Sequence, residues 1–245
     1  MGPQQLISPH QIPHTNTPPT QVGHEPSALT PHRTLQSLYI TPILTTLQRL
    51  NPASPFAPPG SQNGIFDTSP SQPLYLFIDL KTSADETYPA VLRALEPLRA
   101  GDWLTTYSSG SLRRNPITVI ATGTTQLSDV LAAEPRDVFF DAPLAALNES
   151  AYAGLTENEA PVASTDFAAV FGQVRRRGLT DGQVDVLRRQ LDGAHERGIM
   201  ARYWNLPGWP IGTRNAVWRT LWDEGVDLLN VDDLRGASEF WEGSG

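Results

Sequence analysis

Cysteine is absent from all 245 residues, which excludes disulfides, thiolate nucleophiles and cysteine-ligated zinc or iron–sulfur centres. Positive charge is scarce: 18 Lys and Arg stand against 26 Asp and Glu, for a formal net charge of −8. That balance argues against a protein that grips a phosphate backbone along a basic face, so nucleic acid is not an expected partner. The one dense basic run, Arg175–Arg177, reads as a solvated helix end. Long hydrophobic runs are also missing. No stretch approaches the roughly 20 apolar residues that span a bilayer, and neither a basic nor an apolar leader region follows Met1. Met1–Gln21, rich in Pro, Gln, His and Thr, has little to bury and is expected to be disordered, with nothing to organise His10 and His14 around a metal.

Beyond that tail, residues 22–245 suit one domain with a sizeable core. Leu35, Leu38, Tyr39, Ile43 and Leu47 recur at helical spacing, with Pro42 expected to kink or divide the helix. After a Pro/Ser/Gly-rich loop (PASPFAPPGSQNG), LYLFIDLKT opens with the continuous apolar run of a strand buried on both faces, and SADETYPAVLRALEPLRAG predicts a helix from Ser83 to Gly101. Strands follow at Ile117–Ala121, Val138–Phe140, around Val162, at IMARYWN and near Leu228–Val231. The intervening helices include one capped at Thr180 and stopped at Gly198. Alternation of this kind predicts a parallel sheet wrapped by helices.

Nearly every strand runs apolar and ends polar: Asp79, Thr122, Asp141, Asp166, Asn205 and Asp232. In parallel β/α architectures the C-terminal strand ends gather at one face, where ligand sites are built. Asp79 and Lys81 share a face of an extended strand, two residues apart. A charged pair there is costly to desolvate, so it is either a ligand-facing pair or a structural pair at the rim. Trp204 either walls a pocket or belongs to the core, and Asp232 either orients a pocket group or caps a helix. His32 and His195 read as structural or exposed.

The segments GHEPSALTPHRTLQSLYITPIL, NGIFD, LFIDLKT, LEPLRAGDWLT, ITVIATG, RDVFFDAPL, ARYWNLPGWP and GVDLLNVDDL, in that order, resemble the fungal altered inheritance of mitochondria protein 6 family, a branch of the phospholipase-C-like and glycerophosphodiester-type phosphodiesterases. The resemblance implies a TIM-type (β/α) barrel. It also implies a divalent cation, Mg²⁺ or Ca²⁺, held by strand-end carboxylates, a histidine acid and base, and a small-molecule or lipid phosphodiester as substrate. Carried onto this sequence, Asp79 is the metal-ligating acid, Lys81 projects toward the phosphate and His24 protonates the leaving group; Trp204, Asn205 and Asp232 are candidate pocket residues by their place at strand ends, with the alternatives above left open.

Two family features have no counterpart here: a first strand bearing a catalytic histidine, and a second ending in Glu-x-Asp. About six candidate strands stand where a closed barrel has about eight. The first two are therefore expected to be missing, with bare edges at the strand near Leu74 and at the last strand near Leu228. Either a truncated gene model or a genuinely shortened paralogue fits this pattern. With Asp79 as the single anchoring carboxylate the cation is expected to be weakly held or absent, and the chain to have little or no phosphodiesterase activity.

Overall fold

The computed structural model describes residues 5–8, 20–52, 62–174 and 178–242, with the backbone alone for 5–8 and 241–242. His10, His14, Arg175–Arg177 and most of the Pro-rich loop (residues 53–61) lie outside the described residues. The chain divides into two compact units, residues 2–140 and 141–245.

In the first unit, β1 (Gln5–Ser8) pairs antiparallel with β2 (Gln21–Val22) and parallel with β3 (Leu74–Leu80), placing Leu6 beside Asp79. The edge expected to be bare is thus covered over Ile78–Leu80, and the expectation that no strand precedes Val22 does not hold for Gln5–Ser8. Four residues carry too short a pattern to announce a strand; pairing with β3 is what defines this one. Between β2 and β3, a π-helical turn at Gln36–Ile40 leads into α1 (Thr41–Leu50). Pro42 sits in the first turn of α1, where a missing N–H is tolerated, and the backbone stays helical through Ile40 and Thr41.

Leu76, Ile78 and Leu80 are buried on one face of β3 and Phe77 on the other. α2 (Ala84–Ala94) carries Asp85 and Glu86 in its first turn, where the helix dipole favours them, and buries Thr87, Tyr88 and Val91. The single helix expected to run to Gly101 is instead broken at Leu95. Pro97 cannot donate to the carbonyl of Arg93, and the chain restarts as α3 (Glu96–Ala100). A hairpin of β4 (Thr106–Ser108) and β5 (Ser111–Arg113), unforeseen because its strands are short and partly exposed, turns on Ser109 and Gly110, both at positive φ. β6 (Ile117–Gly123) then pairs in parallel with β3 along its whole length, Asp79 opposite Thr122 and Leu80 opposite Gly123. α4 (Leu127–Leu131) follows, and Val138–Phe140 of β7 (Val138–Pro143) completes the ladder beside Val119–Ala121.

β7 does not stop at Phe140 as expected. Asp141–Pro143 pair in parallel with β8 (Val162–Asp166), so Asp141 lies within the strand, not at its end. α5 (Phe167–Phe171) and α6 (Asp181–His195) follow, α6 opened by a reciprocal capping box between Thr180 and Gln183. β9 (Met200–Trp204) pairs with β8, α7 (Ile211–Asp223) follows, β10 (Leu228–Leu229) pairs with β9, and α8 (Leu234–Glu242) closes the described chain. Phe167, Phe171 and Tyr203 form an aromatic cluster with ring centroids 4.8–6.4 Å apart, and the Tyr203 hydroxyl donates to Gln190 Oε1 at 2.7 Å. His195, on α6 as expected, ties that helix to Asp227 at 2.8 Å.

All the strands expected from Leu74 onward are present and parallel to their neighbours, with helices between them. The protein is therefore of the α/β class.

Candidate functional site

The C-terminal ends of β3 and β6 carry Asp79, Lys81 and Thr122, with Thr82, Thr124 and Thr125 in the loops just beyond. β3 stays apolar until Asp79 because both its faces are covered, and the next residue on the same face is Lys81. Lys81 Nζ lies 2.7 Å from Asp79 Oδ2, with the lysine side chain 53% exposed and the aspartate only 14%. Lys81 is also the only lysine in the chain, every other basic side chain of this class being arginine. The second carboxylate oxygen, Asp79 Oδ1, is buried with no hydrogen-bond partner among the described residues. A buried carboxylate oxygen without a donor is costly.

Gly123 makes room for that carboxylate. It sits at φ +74°, and a Cβ there would overlap both the Leu80 carbonyl and Asp79 Oδ1. The loops beyond are laced together by threonines. Thr124 donates to the Thr82 and Leu80 carbonyls through its hydroxyl and N–H, Thr82 and Thr87 hydroxyls meet at 2.7 Å, and Thr125 Oγ1 donates to the Thr122 carbonyl at 2.9 Å. Asp79 and Lys81 therefore project from a rigid pair of strand ends.

His24 follows β2; its imidazole is 90% exposed, and Glu25 Oε1 lies 4.0 Å from its Nε2. Among the described residues no group of three or more His, Asp or Glu side chains is spaced to hold a metal ion.

In the second unit, Asn205 adopts φ +58° immediately after β9, a conformation its short amide side chain tolerates. Its Nδ2 donates to both Asp166 oxygens at 3.0 and 3.1 Å, while Asp166 accepts from Ala169 N and so caps α5. Trp204 is partly exposed beside it. Asp232 lines a small cavity with Asn230, Asp233, Arg214 and Trp218. The helix cap at this point is Asp233, whose Oδ1 accepts from Gly236 N at 2.8 Å. Arg214 lies over the Trp218 ring and donates to Asp233 at 2.8 Å. The Gly236 N–H first, and then Arg214, hold the Asp233 carboxyl below the usual carboxylate range.

Arg202 escaped the sequence reading. It is buried on β9, in register with Ser164, and donates to Ser164 Oγ at 3.3 Å and to Asn230 Oδ1 at 2.5 Å. The signal was available: an arginine between the apolar strand residues Ala201 and Tyr203 is as costly to bury as Asp79 in β3.

Parallel strands alternating with helices, with charged groups at C-terminal strand ends, define an α/β protein, an architecture in which ligand sites are commonly built at those ends. Residues 17–141 match the AIM6-like phosphodiesterase domain. The altered inheritance of mitochondria protein 6 homolog of Arthroderma benhamiae is 45% identical over 224 residues, 90% of this chain and 70% of that protein. The Eremothecium gossypii and Saccharomyces cerevisiae proteins of the same name are 34% and 32% identical over 89% of this chain, which spans 59% and 60% of their lengths. The chain belongs to the altered inheritance of mitochondria protein 6 family. No solved structure matches it.

Proposed function

We propose that this protein binds and hydrolyses a phosphoric diester, lipid-derived or of the glycerophosphodiester type, at the C-terminal ends of β3 and β6 within a TIM-type (β/α) arrangement. The observation that carries this reading is the lone lysine paired to Asp79 Oδ2, with Asp79 Oδ1 buried and lacking a hydrogen bond. A diester is anionic and resists attack, so hydrolysis needs neutralised charge and a proton for the leaving alkoxide. Asp79 Oδ1 fits one arm of a site for Mg²⁺ or Ca²⁺, which when bound would supply charge neutralisation at the phosphate. Lys81, half-exposed and held upright by Asp79, directs its ammonium toward phosphate oxygens. In this reading His24 is the proton donor to the leaving group, the role the family resemblance gives it.

A second reading, a diester-binding protein without turnover, is favoured by the spacing of the described acids and histidines, which forms no set of three metal ligands. The two readings separate in one experiment. Hydrolysis of glycerophosphodiesters, lysophospholipids and phosphoinositides is measured with Mg²⁺ and with chelator, and Mg²⁺ is titrated calorimetrically into the wild type and Asp79→Ala. Chelator-sensitive turnover lost in Asp79→Ala supports hydrolysis; substrate binding without turnover supports the second reading; neither binding nor turnover defeats both.

A further inference from the structure

The segment after β9, Trp204–Thr213 (WNLPGWPIGT), contains ten residues without a charge. Water is not a natural neighbour for its side chains, yet Trp209 is 77% exposed and Ile211 50%. Leu234, at the start of α8 beyond β10, is 66% exposed, and it adjoins Asp233, which Arg214 of α7 holds one helical turn from Ile211. Together with Trp204, these are four of the six large apolar side chains exposed among the described residues. They therefore collect on the β9–α7 and β10–α8 connections, where the polar strand ends Asn205 and Asp232 also lie. Behind Trp209, a cavity of about 530 Å³ is lined by Phe167, Leu206, Pro207 and Pro210.

Scattered exposed leucines need no explanation, but clustered ones rimmed by polar groups mark an interaction surface. The charges around this rim are neutralised locally: Arg214 by Asp233 and Arg235 by Glu239. That leaves Asp232 and no cationic cluster among the described residues of the rim, in a chain whose net charge is −8. Such a surface is repelled by an anionic bilayer and is complementary to a zwitterionic one, whose outermost groups are ammonium cations. Tryptophan beside aliphatic side chains is the composition that settles at the headgroup boundary, with the indole N–H kept wet. No helix among the described residues is long and apolar enough to cross a membrane, so the contact is peripheral. We propose that Trp209, Ile211 and Leu234 form a docking surface for a zwitterionic phospholipid bilayer, laid down at the C-terminal strand ends of the second unit. The surface stands on these residues alone and does not depend on hydrolysis.

The full chain is tested by co-sedimentation with phosphatidylcholine vesicles, alone and with added phosphatidylserine, while tryptophan quenching by brominated phosphatidylcholine reports insertion. Wild type is expected to partition onto phosphatidylcholine, with no gain from phosphatidylserine. Trp209→Ala/Ile211→Ala is expected to lose about tenfold or more in partition coefficient, and Leu234→Ala a smaller factor. Leu131→Ala, an exposed apolar residue elsewhere, is expected to bind as wild type, as is Asp79→Ala whatever its hydrolytic activity. Circular dichroism confirms that each variant is folded; should the double variant unfold, Trp209→Ser alone carries the same expectation. Failure to bind phosphatidylcholine, binding that requires phosphatidylserine, equal losses in Leu131→Ala, or a self-association abolished by the Trp209 variant would each overturn the proposal, the last by assigning the surface to a second copy of this chain.

Discussion

Asp79 Oδ1 occupies the space in which a Cβ on Gly123, on the neighbouring strand, would lie. Because Gly123 also sits at φ +74°, Gly123→Ala combines backbone strain with a clash at the carboxylate. The substitution is expected to cost about 1–3 kcal/mol in urea unfolding. Its mark as a site residue is that Mg²⁺ binding, if the wild type shows it, falls as far as in Asp79→Ala. A variant that is destabilised yet binds as wild type would confine Gly123 to a structural role.

Lys81 allows a cleaner chemical test because it is unique. Mild amine acylation should give a single side-chain adduct by mass spectrometry, slowed by inorganic phosphate or a glycerophosphodiester if the ammonium faces the ligand. Lys81 is half-exposed but Asp79 is largely buried, so Lys81→Ala removes the partner of a buried carboxylate and is expected to destabilise the protein by about 1–3 kcal/mol. Turnover, where present, should fall by about a hundredfold, with Lys81→Arg recovering little because a planar fork replaces a compact charge.

Asp227 ties α6 to β9: its Oδ2 accepts from His195 Nε2 and from Ala201 N, each at 2.8 Å. Asp227→Ala leaves a strand N–H without its acceptor and is expected to destabilise the protein by about 1–3 kcal/mol. His195→Ala removes one donor and leaves Ala201 paired, so a smaller loss is expected. Equal losses in the two variants would place the effect in helix packing.

Stability is expected to fall at both ends of the pH scale. Arg113 beside Asp102, Arg188 beside Glu224, and Gly236 N–H with Arg214 beside Asp233 hold these three carboxyls below their ordinary values. For a depressed carboxyl the stabilisation is complete above its unfolded pKa, near 4, and declines as pH drops through the folded value (both about the carboxylate range or lower). Asp102 and Asp233 are exposed and Glu224 partly so, so the slope should be shallow, reduced by salt, and flatter in Arg113→Gln and Arg188→Gln. On the alkaline side, burial chiefly raises Tyr88 to about 12 and Tyr203 further still. A raised tyrosine stabilises fully below its unfolded pKa, about 10, and loses that contribution as pH climbs toward the folded value. Tyrosinate absorbance from these two residues should therefore appear together with alkaline unfolding. Titration of all tyrosines near pH 10 (about the unperturbed value) in a folded protein would refute their burial.

What was readable from the residues alone follows from periodicity and from the cost of burying charge. The apolar runs of β3, β6 and β7 and the N-cap at Thr180 are local, so the linear pattern carries them. Asp79 and Lys81 stood out because two charges closing a buried strand need a partner, and they are each other's. Arg202, buried between Ala201 and Tyr203 on β9, bears the same mark. The remaining features are decided by contacts between segments distant along the chain. β1 exists because Gln5–Ser8 meets β3, β7 continues past Phe140 because β8 supplies its hydrogen bonds, and Asp233 rather than Asp232 caps α8 because of where Gly236 N–H points. Gly123 reads in one dimension as an ordinary strand terminus. Only the neighbouring strand, set in register by hydrogen bonds between residues some forty positions apart, brings the Asp79 carboxylate into the space its missing side chain leaves.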